Sequence, residues 1–165
     1  MNTFDEALDN AKKTHEEIVK LASSITGEYT KEVDEIINHV KDHVNELNND
    51  QLRALITDLS FKAYSLGEAK EYSALKSEIS KTLRDEIQAT TFNTSAGTMD
   101  VRRNNSILES ENEQLVKLLC DSVSGLLKVK LDETHRIVDT LKTVILTRNT
   151  EAKINADIND TREGI

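Results

Sequence analysis

Few side chains in this chain have the types and spacing that chemistry needs. His39 and His43 stand four residues apart, which on a helix puts both imidazoles on one face, as in the H-E-x-x-H zinc signature. The glutamate that should follow the first histidine is missing. Glu35 and Glu46 are the nearest carboxylates and no third ligand is evident, so the pair reads as a solvated helix face. Asp132 and His135 resemble one carboxylate–histidine pair of a di-iron bundle, but such a centre needs two such pairs and two further glutamates. Cys120 is the only cysteine. It has an acid, Asp121, rather than a base beside it and follows Leu118 and Leu119, which predicts a half-buried structural thiol and not a nucleophile. There is no Ser-His-Asp arrangement, glycine-rich phosphate loop or Cys-x-x-Cys pair. The expectation is a protein without catalysis, metal or cofactor.

A second group of polar residues gathers on either side of Thr90-Thr91-Phe92-Asn93-Thr94-Ser95-Ala96-Gly97-Thr98, the clearest breaker in the chain. Lys81, Arg84, Arg102 and Arg103 come to the same end of any hairpin that turns there, and Phe92 lies with them. Cations that track phosphates and a ring that stacks bases are the parts of a single-strand nucleic-acid platform. Asp85, Glu86 and Asp100 dilute the patch, so an ordinary mixed-charge surface is the competing reading.

These residues must be positioned by helices. The 165 residues include no proline and five glycines, with 4% aromatic and 31% charged residues. Proline costs about 3 kcal/mol and glycine about 1 kcal/mol in a helix interior, so this composition predicts an all-α, elongated protein. Thr3 with Glu6 forms a capping box for a helix to about Ser24, with Phe4, Leu8, Ala11, His15, Ile18, Ala22 and Ile25 as its seam and Gly27 as its C-terminal stop. Thr30 caps a second helix to about Asn48, with Val33, Ile37, Val40, Val44 and Leu47 inward. These two form an acidic N-terminal pair over residues 1–49.

Residues 50–165 are expected to form a long α-helical hairpin with its turn near 93–98. One arm runs from about Asp50, which the Asn48-Asn49-Asp50 cluster caps, to Phe92, with Leu52, Leu55, Leu59, Ala63, Leu66, Ile79, Leu83 and Ile87 inward. The other runs unbroken from Met99 to about Asn159, roughly 90 Å at helical rise, with Leu108, Leu115, Leu119, Leu126, Val129, Ile137, Leu141 and Val144 as its stripe. A turn centred on Ala96 sets Leu66 opposite Leu126, Ala63 opposite Val129 and Gly67 opposite Gly125, where two small residues permit close approach. The fold class is therefore all-α: two long helices in an antiparallel coiled-coil-like hairpin plus two shorter N-terminal helices. Seams left over on all four predict a homo-oligomer.

Net charge is −9, and residues 1–50 carry −7 of it, from 5 basic and 12 acidic side chains. Residues 51–153 balance at 15 of each sign. An acidic chain is a poor prior for nucleic-acid binding, since phosphate contacts dominate that affinity; the neutral hairpin softens the objection. No apolar run approaches the ~20 residues that span a bilayer. The start MNTFDEALDN lacks the basic region and apolar run of a signal peptide. A single cysteine suits a reducing compartment, so a cytoplasmic location is expected (host cytoplasm if the source is viral), with no membrane partner.

The segment from about Tyr64 to Glu151 resembles the α-helical-hairpin proteins of phage genomes, of the UvsY-like recombination-mediator type. The likeness lies in a long helix carrying Lys81-Thr82-Leu83-Arg84, a polar turn, and a longer helix carrying Leu118-Leu119-Cys120-Asp121-Ser122 and continuing through Lys128 and Ile137. Lys81–Arg84 is similar to the family's short Lys/Arg/Leu motif with the order of Arg and Leu changed. The resemblance implies an oligomer that binds single-stranded DNA and helps load a recombinase onto DNA coated by single-strand-binding protein. The expected function is thus a non-enzymatic recombination or replication accessory protein. The alternative is a protein-binding assembly factor without DNA binding: a scaffold, a tail or head chaperone, or an acidic inhibitor of a host nucleic-acid machine.

Overall fold

The computed structural model describes the backbone of residues 3–163 and the side-chain surroundings of residues 11–156. Among the described residues there are four helices and no strand: α1 (Thr3–His43), α2 (Asn49–Thr94), α3 (Met99–Glu109) and α4 (Glu111–Glu163). None is long and apolar enough to cross a membrane. The chain forms two compact units, one of residues 1–30 with 66–129 and one of residues 31–65 with 130–165.

The expected N-terminal helix pair is one helix. Gly27 does not stop α1 and Thr30 does not cap a new one; both lie within the 41-residue α1. A glycine costs about 1 kcal/mol in a helix interior, and burial on either side of it outweighs that cost. Ala22, Thr26 and Thr30 are buried before residue 31, and Val33, Ile37 and Val40 after it. Ala11 and His15, expected in the seam, are exposed. The proposed Thr3 cap and the Phe4 and Leu8 contacts concern side chains outside the described residues.

The start of α2 follows from local chemistry. Asn48 Oδ1 accepts from the backbone N–H groups of Asp50 (3.0 Å) and Gln51 (2.9 Å), while Gln51 Oε1 accepts from the Asn48 N–H at 2.9 Å. This reciprocal box satisfies donors that a helix start leaves open. Just before it, the Arg148 guanidinium donates to the carbonyls of Leu47 (2.6 Å) and Val44 (2.9 Å), supplying partners to carbonyls beyond the end of α1. The surrounding unit has a leucine- and valine-rich interior: Val33, Ile37 and Val40 of α1, Leu52, Leu59 and Ala63 of α2, and Thr134, Val138 and Leu141 of α4. On its surface Lys130 bridges Asp34 and Glu133, and Lys41 also reaches Glu133. Lys62 pairs with Glu32.

The α2–α3 turn depends on Gly97, whose φ of +114° is the one positive value among the described residues. A Cβ there would also meet Val101 at 3.1 Å. Thr98 then caps α3.

The second arm of the expected hairpin is not continuous. Ser110, buried and non-helical (φ −97°, ψ 6°), separates α3 from α4. Its hydroxyl donates to the Ile107 carbonyl at 3.1 Å and accepts from Gln88 Nε2 at 2.9 Å, a side-chain competition with the helical ladder that serine is suited to. The buried residues nonetheless keep one seam through the interruption: Ser106, Ser110, Cys120, Leu127, Thr134, Val138 and Leu141. One residue of offset turns a helix face by about 100°, and the inner residue is Leu127, fully buried, rather than Leu126, which is 39% exposed. In this unit Ser73 bonds to Cys120, Ser77 to Asp121, Arg84 to Gln114 and Gln88 to Ser110. The last three pairs are centred on Met99, not Ala96.

Other expected inward residues correct in the same sense. Ile79, Leu83, Leu108 and Val129 are exposed. Gly67 and Gly125 allow no close approach, because a Cβ at either position would meet nothing within 4 Å.

The phase can be tested by stability. Leu127→Ala should cost about 2–5 kcal/mol, as buried leucine truncations do, and Leu126→Ala less than about 1 kcal/mol, read by urea unfolding followed by circular dichroism. Equal losses would contradict the phase of α4.

Candidate functional site

In the unit holding residues 66–129, α2 turns an unusual stripe inward. Leu66, Ser73, Ser77 and Ser80 are buried, against Ser106, Ser110, Cys120, Val123 and Leu127. The hydroxyls are occupied where they meet α4: Ser73 Oγ donates to the Cys120 carbonyl at 2.8 Å, and Ser77 Oγ donates to the Asp121 carboxylate, which also holds Lys117. Burial pushes the Cys120 thiol above its ordinary value, with Lys76 opposing. A thiol so placed is a structural residue and a poor nucleophile.

The apolar residues of the same stretch face out. Tyr72 is 58% exposed, Leu75 58%, Ile79 50% and Leu83 43%. Around them lie Glu68, Glu78 and Glu86, none of which makes an ion pair among the described residues. Ile79, Leu83, Glu78, Glu86 and Thr82 line a shallow groove of about 250 Å³. Between α1 and α4 runs a second groove, of about 320 Å³, lined by Val19, Ala22, Ser122, Gly125, Leu126 and Val129 and by no charged side chain.

The residues expected to form a nucleic-acid platform divide. Phe92 and Arg103 share an open groove of about 630 Å³ at the α2–α3 turn, with Met99 and Gln88 and with the acids Asp85 and Asp100. Arg84 lines a separate groove with Ile107, Leu108 and Gln114. Its guanidinium is engaged, donating to Asp85 Oδ1 (2.7 and 3.0 Å) and to Gln114 Oε1 (2.7 Å). Lys81 is exposed and lines neither groove; Arg102 is half-buried, and its Nε has no partner. One ring and one cation therefore line the same groove, beside two carboxylates.

Of the packing residues named from sequence, Leu66 is buried, Gly67 half-buried, and Gly125 and Leu126 exposed on the α1–α4 groove. Sequence reasoning missed the serine stripe and Arg148. Ser73, Ser77 and Ser80 do keep the 4, 3 spacing of a seam, which was the available signal. Nothing in the sequence marks Arg148 as the group that meets the Val44 and Leu47 carbonyls beyond α1.

Compared with known families, curated proteins and solved structures, the chain matches none. The His39 and His43 rings meet edge to face at 5.0 Å on an exposed face, and no group of three metal-binding side chains occurs among the described residues.

Two carboxylates tie packing to pH. At Asp121 burial pulls the pKa up, but the Lys117 and Ser77 hydrogen bonds outweigh it and hold the group below its ordinary 3.8. Glu133 is held below 4.5 by the Lys130 hydrogen bond, against burial and with help from Lys41. Both bind protons less readily folded than unfolded, so their stabilisation is present above the unfolded values and is lost as pH falls through the folded ones. Thermal melts should show Tm falling between about pH 6 and about pH 3, with a shallower fall in the Asp121→Asn/Glu133→Gln variant. An unchanged slope in that variant would assign the acid loss to other groups.

Proposed function

We propose that the chain is a non-catalytic assembly protein that acts by helix-face association, with copies of itself and with other proteins. The observation that carries this reading is the inversion in the 66–129 unit. Serines occupy the inner stripe of α2, while Tyr72, Leu75, Ile79 and Leu83, and along the α1–α4 groove Val19, Leu126 and Val129, lie at the surface. Contiguous exposed apolar area of this kind marks interaction surfaces. The α1–α4 groove is the surface suited to a second copy, because its lining is uncharged and can meet itself about a two-fold axis without opposing like charges. In this reading α2 with α3 and α4 makes an antiparallel coiled-coil-like hairpin, completed by association, in the cytoplasm.

Light scattering should then give a mass above the 18.5 kDa of one chain, falling on dilution. Val129→Asp should lower that mass with helicity unchanged. A single-chain mass at every concentration would overturn self-association.

A second reading, single-strand DNA binding in recombination or replication, draws on one observation: Phe92 and Arg103 lie in the same open groove. It is the role that the likeness to phage recombination mediators implies, with a recombinase or single-strand-binding protein as further partners. Asp85 and Asp100 in that groove and the engaged Arg84 weigh against it, although assembly would multiply a weak patch. Labelled oligo-dT should bind with steep salt dependence and lose binding in Phe92→Ala and Arg103→Glu. No binding at low salt would remove this reading and leave the first.

A further inference from the structure

We infer that the outer face of α2 between Glu68 and Glu86 is a docking surface for a basic amphipathic helix of a partner protein. This rests on the reading that the chain works through helix-face association, and it names the chemistry of one such partner.

Azimuth and charge carry the inference. At 100° per residue, Glu68 and Glu86 project within about 20° of Leu75. Tyr72, Ile79 and Leu83 lie on one flank of that line, within about 80° of it, and Glu78 lies about 60° away on the other. Glu68 and Glu86 therefore close the two ends of an apolar stripe about 27 Å long, and Glu78 edges its middle. The groove within the stripe has Glu78 and Glu86 as its only charged lining.

The remaining charged side chains nearby are accounted for. Glu71 is paired with Lys70 and Asp85 with Arg84. The Lys76 ammonium sits 4.6 Å from the Tyr72 ring centroid, where cation–π attraction holds it. Lys81 projects about 120° from Leu75, away from the stripe. The face thus offers apolar side chains framed by three unpaired carboxylates.

Such a face selects its occupant. Paired with its own copy, it would oppose Glu78 and Glu86 to acids of the same kind, a repulsion between directly facing like charges. A polyanion or an anionic lipid surface meets the same objection. A helix with apolar residues at i, i+3, i+4 and i+7 and lysine or arginine around them complements both features. About 18 residues would span from Glu68 to Glu86.

The test uses the full chain and two labelled synthetic helices of about 18 residues, identical in leucine pattern, one with lysine and one with glutamate at the other positions. Fluorescence anisotropy at low salt should show the lysine helix binding at least about tenfold more tightly than the glutamate helix, with the difference shrinking as salt rises. Glu78→Lys/Glu86→Lys should lower the lysine helix's affinity about tenfold. Ile79→Asp should abolish binding, with far-UV circular dichroism unchanged in both variants because the side chains are exposed. Equal binding of the two helices, binding of neither, or an unchanged affinity in the double glutamate variant would overturn the inference. So would a fall in light-scattering mass on Ile79→Asp alone, which would place a second copy on this face. A chain that stays monomeric yet binds the lysine helix with this charge dependence supports the docking surface while removing self-association.

Discussion

The hydrogen bond from Ser73 Oγ to the Cys120 carbonyl shows what the 66–129 unit depends on. A helix can give each neighbour only one stripe, and here α2 gives a stripe of serines. Small side chains allow near approach, but they bring hydroxyls into a region where an unpaired polar group is costly and a paired one nets only about 0.5–1.5 kcal/mol. Two of its hydroxyls find partners, Ser73 on the Cys120 carbonyl and Ser77 on the Asp121 carboxylate, and at the break the Ser110 hydroxyl receives Gln88. Once the polar stripe is inside, the apolar residues at intervening positions must face out. The exposed Tyr72–Leu83 face is a consequence of that inner choice.

The other unit solves the same problem differently. Leucine, isoleucine and valine fill its interior, and its polar work is concentrated where chain ends need it, at the α1–α2 corner. Arg148 takes two carbonyls and Asn48 takes two N–H groups. Ion pairs of Lys130, Lys41 and Lys62 lie on its surface, where such pairs contribute little individually. One unit is held chiefly by apolar burial. In the other, burial is shared with side-chain hydrogen bonds, and apolar surface remains for association.

Charge then sorts the exposed surfaces. The α1–α4 groove is uncharged and suits a like copy, the α2 face is framed by carboxylates and suits a basic helix, and the groove at the α2–α3 turn mixes one cation with two acids. No single strong basic patch emerges from Lys81, Arg84, Arg102 and Arg103, because Arg84 turns to Asp85 and Gln114 and Arg102 is half-buried. Clustering along the sequence brought these cations near one turn without deciding which of them remain available.

Much of the secondary structure was legible in the residues themselves. The absence of proline and scarcity of glycine leave helix unopposed, while Asn48 starts α2 and Gly97 marks the turn through backbone geometry that neighbours barely alter. The leucines at 52, 59, 66 and 141 could be placed inside because large apolar side chains at seam spacing have few alternatives. What only the tertiary structure decided was phase. Gly27 proved too weak a stop once buried residues on both sides favoured a continuous α1, and Ser110 broke the second arm through a bond to Gln88 that no local pattern reveals. The seam that continues past the break takes Leu127 inward and leaves Leu126 and Val129 outside. The inward choice of Ser73, Ser77 and Ser80 over Leu75, Ile79 and Leu83 was likewise undetermined by periodicity, because both sets recur at helical spacing. For Ser73 and Ser77, hydrogen-bond partners on α4 favour the inner position, and partners distant in sequence exist only once the helices have met.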